Sequence, residues 1–139
     1  MVNDFLSGVS NQLYVKFGSD YKYYVENVKQ GLPEKCFTID CLIPLQRSRS
    51  NVLYDRTIPI VVHYFSPDNE NAKNDCYEKA EQVVEALEIV PFNDSWVRGE
   101  NISWQIDDGV LKVFATYKFI TIKDVPSEKM EDIVIKNIQ

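Results

Sequence analysis

Hydrophobic positions at the start of the chain recur at intervals of three and four residues. This spacing places one apolar stripe along a helix, so we predict a helix over Val2–Phe17 that ends at Gly18. A second stripe predicts another helix, which Ser66 or Asp68 can cap. Its buried side would consist of Ala72, Cys76, Ala80, Val83, Val84 and Leu87.

Alternating or β-branched and aromatic runs predict the strands. Strands over residues 21–27 and 36–43 are predicted to form a hairpin, because a polar turn with glycine and proline separates them. A third strand is predicted over residues 56–65, with Pro59 at an edge or a bulge because proline cannot donate to a ladder. The polar, basic residues 44–55 before it are predicted to be a long loop.

The strongest turn signal is Asp108-Gly109, since both residues tolerate the positive φ angles of a tight hairpin turn. Alternating residues before and after it predict two paired strands within residues 102–122. Residues 91–101 read as an irregular link, in which Trp96–Arg98 can form a short strand.

The predicted order is therefore α-β-β-β-α-β-β, which favours an α+β fold with a mostly antiparallel sheet and two helices on one face. We expect residues 1–123 to form a single α/β domain and residues 124–139 to be a C-terminal extension that orders only on assembly. The extension ends in an apolar group that we expect to bind a partner: Ile133, Val134, Ile135 and Ile138.

Composition places the chain among ordinary folded domains. Of 139 residues, 45% are hydrophobic and 26% are charged. We find no signal peptide pattern and no apolar run of about 18 residues, so we expect no membrane partner and a location in the cytoplasm. Three cysteines without a CxxC spacing predict buried free thiols rather than a disulfide framework or a zinc site.

The net charge of -6 argues against a specific nucleic-acid partner. The charge is unevenly placed, because three of the four arginines lie in one segment, at Arg47, Arg49 and Arg56. The polar face of the second helix is acidic, with Glu70, Asp75, Glu78, Glu81 and Glu85. The arginines of one copy could meet the acidic helix of another, as in a head-to-tail ring. A mobile polar loop and a solvated helix face remain the alternatives.

His63 is the only histidine. A catalytic histidine needs an orienting carboxylate and a nucleophile, and a zinc site needs further histidines or paired cysteines. No such pattern accompanies His63, and no phosphate loop, dinucleotide motif or EF-hand occurs. We therefore predict that His63 is a strand residue, that the protein is not an enzyme and that it uses neither metal nor cofactor.

Four stretches together resemble the tail terminator proteins of contractile phages and phage-like particles of Gram-positive bacteria. They are NDFLSGVSNQLYVKFG, YVENVKQGLPEKCF, RTIPIVVHYFSPDNENAKNDC and VRGENISWQIDDGVLKVFATYKF. The resemblance runs from about Val2 to Ile122 and rests on structural patterns, not on catalytic motifs.

The resemblance implies a small α/β domain that assembles into a hexameric ring on the head-proximal end of the tail tube. Such a ring ends tube and sheath polymerisation and presents a docking surface to the neck or head connector. In a headless tailocin it would form the collar. Its partners would be further copies of itself, the tail tube protein, the sheath protein and a connector. The arginine segment would face the tube or the lumen, where DNA can pass.

Three alternatives stay open. The first is another neck or connector component of the same particle. The second is a monomeric acidic binding module of the immunity or inhibitor type, which would bind through the second helix. The third, a small hydrolase that uses His63, has the least support from the sequence.

Overall fold

A computed structural model describes residues 2–25, 35–67 and 72–122. They form two helices and seven strands, in the order α1 (Val2–Phe17), β1 (Lys22–Val25), β2 (Cys36–Cys41), β3 (Leu45–Ser48), β4 (Leu53–Phe65), α2 (Ala72–Leu87), β5 (Ile89–Phe92), β6 (Ser95–Asp107) and β7 (Val110–Ile122).

The strands form one curled sheet in the order β1-β2-β4-β7-β6-β5, and β3 pairs with β4. Every described pairing is antiparallel except that of β1 with β2. This architecture confirms the predicted α+β class and element order, to which the short strands β3 and β5 are added. Residues 2–122 hold these elements, while the proposed extension from residue 124 lies outside the described residues.

The hydrophobic core lies between the helices and one face of the sheet. The predicted stripe of α1 is buried at Phe5, Leu6, Val9 and Leu13. In α2, Cys76, Ala80, Val83 and Leu87 are buried as predicted. The sheet contributes alternate residues of its central strands: Ile58, Ile60, Val62, Tyr64, Leu111, Val113, Ala115 and Tyr117. Each large side chain buried here contributes about 1.5–3 kcal/mol.

Two predictions are confirmed, namely the end of the first helix at Gly18 and the tight turn at Asp108-Gly109. Gly18 has φ +87° and its N–H donates to the carbonyl of Tyr14 at 2.8 Å, which ends α1. Asp108 and Gly109 have φ angles of 54° and 75° and form the turn between β6 and β7.

The predicted hairpin of the first two strands is wrong, because β1 and β2 run parallel. In this register Tyr23 lies beside Phe37, and their rings stack 5.5 Å apart at an interplanar angle of 5°. The glycine-proline turn at residues 31–33 lies outside the described residues. The direction of this pair is fixed by contacts across the sheet and by a connection longer than a tight turn, neither of which strand propensity reports.

The predicted long loop at residues 44–55 is instead a hairpin of β3 and β4. Its turn is closed by the N–H groups of Arg49 and Ser50, which donate to the carbonyl of Leu53 at 2.9 and 3.0 Å. The Ser50 hydroxyl accepts from the N–H groups of Val52 and Leu53. All residues of β3 are exposed, so no apolar alternation marked the strand.

The prediction of an irregular link over residues 91–101 is also wrong, because residues 89–98 form a second hairpin. Asn93 and Asp94 form its turn with φ angles of 53° and 62°. These two residues tolerate the left-handed conformation that a two-residue hairpin turn requires. The short strand expected at Trp96–Arg98 is the beginning of β6.

Pro59 lies inside the sheet and not at an edge, since β4 is flanked by β2 and β3 on one side and by β7 on the other. Its carbonyl accepts from the N–H of Leu42 at 2.8 Å. The nitrogen of a strand residue points to the same neighbour as its carbonyl. The Pro59 nitrogen therefore faces the gap between the end of β2 at Cys41 and the start of β3. Neither β2 nor β3 lies opposite it there, so the sheet loses no hydrogen bond at Pro59.

Candidate functional site

The end of the sheet holds an open groove of about 830 Å³. Its walls are the β3–β4 hairpin, the last residues of β7 and the β5–β6 hairpin. The groove exists because β6 pairs with β7 only from Asp107 back to Gly99, with an irregularity between Ser103 and Glu100. The first residues of β6 then pair with β5, away from the β4–β7 ladder, and the space between the two ladders stays open.

Gly99 permits this departure of β6. Its N–H donates to the carbonyl of Glu88 at 2.8 Å. A Cβ at this position would lie 2.6 Å from the carbonyl oxygen of Leu87, closer than real Cβ atoms approach. The close contact holds the β5–β6 hairpin against the end of α2 and thereby positions one wall of the groove.

All three arginines of the predicted contact segment, Arg47, Arg49 and Arg56, line the groove. Arg49 binds the carboxylate of Asp55, while the guanidinium of Arg56 lies 5.9 Å from the ring centre of Tyr54. No ion pair of Arg47 or Arg56 with a carboxylate occurs among the described residues. Lys118 adds a fourth cation to the lining.

Apolar and aromatic side chains form the rest of the groove. Trp96 is 70% exposed, an unusual state for so large an apolar side chain. Phe92 and Phe119 pack against each other with ring centres 5.7 Å apart and line the groove with Ile120. Cations beside exposed aromatic groups suit a protein surface or peptide that carries carboxylates and apolar side chains together.

These aromatic residues were missed by sequence reasoning. Trp96 and Phe92 were placed in the irregular link, and Phe119 lay within the second of the two paired strands predicted over residues 102–122. The usable signal was the Asn93-Asp94 pair, which predicts a tight turn and hence a hairpin that brings Phe92 and Trp96 close together.

The predicted acidic face of α2 divides into two kinds of residue. Glu78, Glu81 and Glu85 are exposed, and Glu85 accepts from Lys16 of α1 at 2.7 Å. The hydrogen bond and charge of Lys16 lower the pKa of Glu85. Glu70 lies outside the described residues. No described residue of α2 lines the groove, so within the described part of the chain the arginines and the acidic helix form separate surfaces.

Asp75 points inward rather than to solvent. Its Oδ2 accepts from the hydroxyls of Tyr64 at 2.6 Å and Ser66 at 2.8 Å, and Lys79 binds Oδ1 at 3.1 Å. Burial acts to raise the pKa of Asp75, but these hydrogen bonds outweigh it and the pKa falls below its usual value. Asp75 thus ties α2 to the end of β4.

His63 lies on the sheet face opposite the helices, between Thr38 of β2 and Lys112 of β7. Its Nδ1 is buried and has no hydrogen-bond partner among the residues that the structure describes. Burial lowers the pKa of His63, Asp40 acts to raise it and Lys112 lowers it further. Among residues 2–25, 35–67 and 72–122, no group of three or more histidines, cysteines or carboxylates could hold a metal ion. Cys36 and Cys76 are buried and Cys41 is half-buried, and all three are free thiols.

The described fold is a small sheet-and-helix domain whose exposed features, a cationic aromatic groove and an acidic helix face, are suited to contacts with other proteins. A family model described as phage tail terminator protein matches residues 4–129. The chain belongs to the phage tail terminator family.

No curated protein matches the chain. Several solved structures match, and one of them shares 12% identity over 90% of this chain and 94% of that chain, with a TM-score of 0.41. A likeness this weak does not inform the fold or the function of this chain.

Family membership confirms the resemblance to tail terminator proteins and makes this chain a structural protein of phage tails, associated with the virion and with other tail components. No helix within the described ranges is long and apolar enough to cross a membrane.

Proposed function

We propose that the protein forms a hexameric ring that caps the head-proximal end of the tail tube. The ring ends polymerisation of the tube and sheath and offers a docking surface to the neck or the collar. The observation that carries this proposal is the family match over residues 4–129. Assembly in the host cytoplasm, a contractile or headless particle and a non-enzymatic role follow from the same proposal.

The groove supplies the surface for the tube. Arg47 and Arg56 are without a carboxylate partner among the described residues, and Trp96 exposes most of its side chain beside them. Aromatic residues and arginines are the side chains that most often carry binding energy at protein interfaces. The groove would therefore face the tube end or the lumen, where any contact with passing DNA would be non-specific because the protein is acidic.

The exposed carboxylates of α2 supply a second, different surface. Glu78 and Glu81 carry like charges on one helix face, so two copies of this face repel each other. A ring of identical subunits joined by unlike patches avoids this repulsion and closes on itself. We propose that this face contacts a neighbouring subunit or points outward. On assembly, the C-terminal residues from 124 onward would contact an adjacent subunit or the sheath.

Binding at one tube end tests the proposal directly. Purified protein carrying a gold-labelled tag is added to preformed tail tubes, and the label is located by negative-stain electron microscopy. A terminator labels one end of each tube. Labels along the tube wall, or an absence of labels, would contradict the proposal, and binding only to assembled necks would assign the protein to the connector.

A further inference from the structure

The chain leaves the fold beside the groove. Ile120 and Thr121 line the groove, and the described part of β7 ends one residue later at Ile122. The sequence that follows carries chemistry complementary to the groove. Three carboxylates, Glu128, Glu131 and Asp132, stand directly before the apolar group Ile133, Val134, Ile135 and Ile138.

We infer that, in the unassembled protein, the groove binds the C-terminal segment of its own chain, residues 128–138. The carboxylates of the segment pair with Arg47 and Arg56, and its apolar residues cover Trp96 and Phe92. This inference concerns the free subunit and does not rest on the proposed role at the tube.

The length of the chain permits this contact. Five residues lie between Ile122 and Glu128, and the six steps of an extended chain cover at most about 20 Å at roughly 3.3–3.6 Å per residue. The segment therefore starts within about 20 Å of Ile122, which is close enough for it to turn back into the groove. A tether this short gives an effective concentration of about millimolar, so weak contacts suffice for occupancy.

The chemistry of the groove selects this occupant. Arg49 is engaged by Asp55 at 3.0 Å, which leaves Arg47 and Arg56 as cations without a carboxylate among the described residues. Trp96 is the most exposed aromatic side chain of the described fold, and its burial removes apolar surface from water. A segment that pairs carboxylates with adjacent isoleucines satisfies both requirements. Any partner that uses the same arginines must displace it.

Trp96 fluorescence in the full-length protein tests the inference. The chain has two tryptophans, so a Trp104→Phe background leaves Trp96 as the single reporter. Acrylamide quenching of Trp96 should be weak in this protein, because the segment covers the ring. Ile133→Ser combined with Ile135→Ser should raise the quenching constant and shift the emission to longer wavelength. Asn137→Ser, in the same segment, is the matched control and should change neither.

A second pair of variants tests the cationic side. Arg47→Glu with Arg56→Glu should expose Trp96 as the isoleucine variants do, while Arg98→Glu, outside the groove, should not. Circular dichroism establishes that each variant is folded. Equal quenching in all variants would overturn the inference. Protection of Trp96 from acrylamide that is lost when the protein is diluted would also overturn the inference, because the groove would then be occupied by a second copy of the chain.

Discussion

Asp55 Oδ1 accepts a hydrogen bond from Nε of Arg49 at 3.1 Å and forms an ion pair with Nη2 of the same guanidinium at 3.0 Å. This contact joins the turn of the β3–β4 hairpin to β4 and engages one of the three arginines of the groove. The other two, Arg47 and Arg56, have no such pair within the described ranges. The hairpin thus presents two positive charges that have no carboxylate partner in the described part of the chain, and such charges can complement a negatively charged protein surface.

Reversal of the charges of Arg47 and Arg49 should weaken tube binding. Arg47→Glu with Arg49→Glu places carboxylates beside Asp55, and we expect a loss of affinity for tail tubes of about tenfold or more, since arginine anchors often contribute more than about 1 kcal/mol. Pelleting of the protein with tubes measures the change. The fold should persist, because both positions are exposed and an exposed ion pair such as that of Arg49 with Asp55 contributes only about 0–1 kcal/mol.

Arg98→Glu is the control for this experiment, because it makes the same type of substitution at one exposed position of β6 outside the groove. If the double variant and the control bind tubes equally well, the arginines are not the tube contact.

Gly99→Ala should destabilise the fold. The new Cβ would meet the carbonyl oxygen of Leu87 at 2.6 Å and the Tyr117 ring at 3.3 Å. We expect the free energy of unfolding to fall by about 1–3 kcal/mol, the usual effect of overpacking, as measured by urea denaturation.

Gly8→Ala is the matched glycine substitution. Its Cβ would make contacts of 3.4 and 4.0 Å with Pro91 and Val90, and alanine favours the helix interior by about 0.5–1 kcal/mol. Gly8→Ala should therefore leave stability unchanged or raise it. Equal losses in the two variants would show that the close contact at Gly99 is not the cause.

Asp75→Asn should loosen the attachment of α2 to β4. The asparagine amide keeps the shape but loses the charge that binds Lys79 and one acceptor for the hydroxyls of Tyr64 and Ser66. A loss of about 1–3 kcal/mol is expected from the unsatisfied groups. Glu78→Gln, on the exposed side of the same helix, should change stability by less than about 0.5 kcal/mol. Thermal denaturation of both variants decides between an inward structural role and an outward interface role for Asp75.

His63 makes stability depend on pH in the weakly acidic range. Burial holds the pKa of His63 below 6.5 in the folded protein, so the unfolded chain takes up a proton first as the pH falls. The unfolded state then binds more protons, and the free energy of unfolding decreases with falling pH below about 6.5. The His63→Leu variant should lose this part of the dependence. An identical pH profile in variant and parent, measured by urea denaturation, would exclude His63 as its source.

The sequence predicted those elements whose signal is local. The stripes of α1 and α2 and the Asp108-Gly109 turn follow from periodicity and backbone preference. The strand β3 escaped prediction because its four residues are all exposed and carry no alternation. The parallel direction of β1 escaped it because direction depends on partners distant in sequence.

The sequence predicted only one part of the candidate site. Arg47, Arg49 and Arg56 stood out as a basic cluster in an acidic chain. The wall that contains Trp96 did not stand out in the sequence. It lies beside the arginines only because β6 leaves β7 at Gly99 and packs against the end of α2. Tertiary structure makes the groove, and no local pattern encodes it.

The length of the tail tube tests the central claim most directly. Tube and sheath proteins are expressed with and without this protein, and tube lengths are measured by negative-stain electron microscopy. A terminator predicts overlong tubes of scattered length in its absence and uniform tubes when it is restored. Uniform tubes of normal length without the protein would contradict the account.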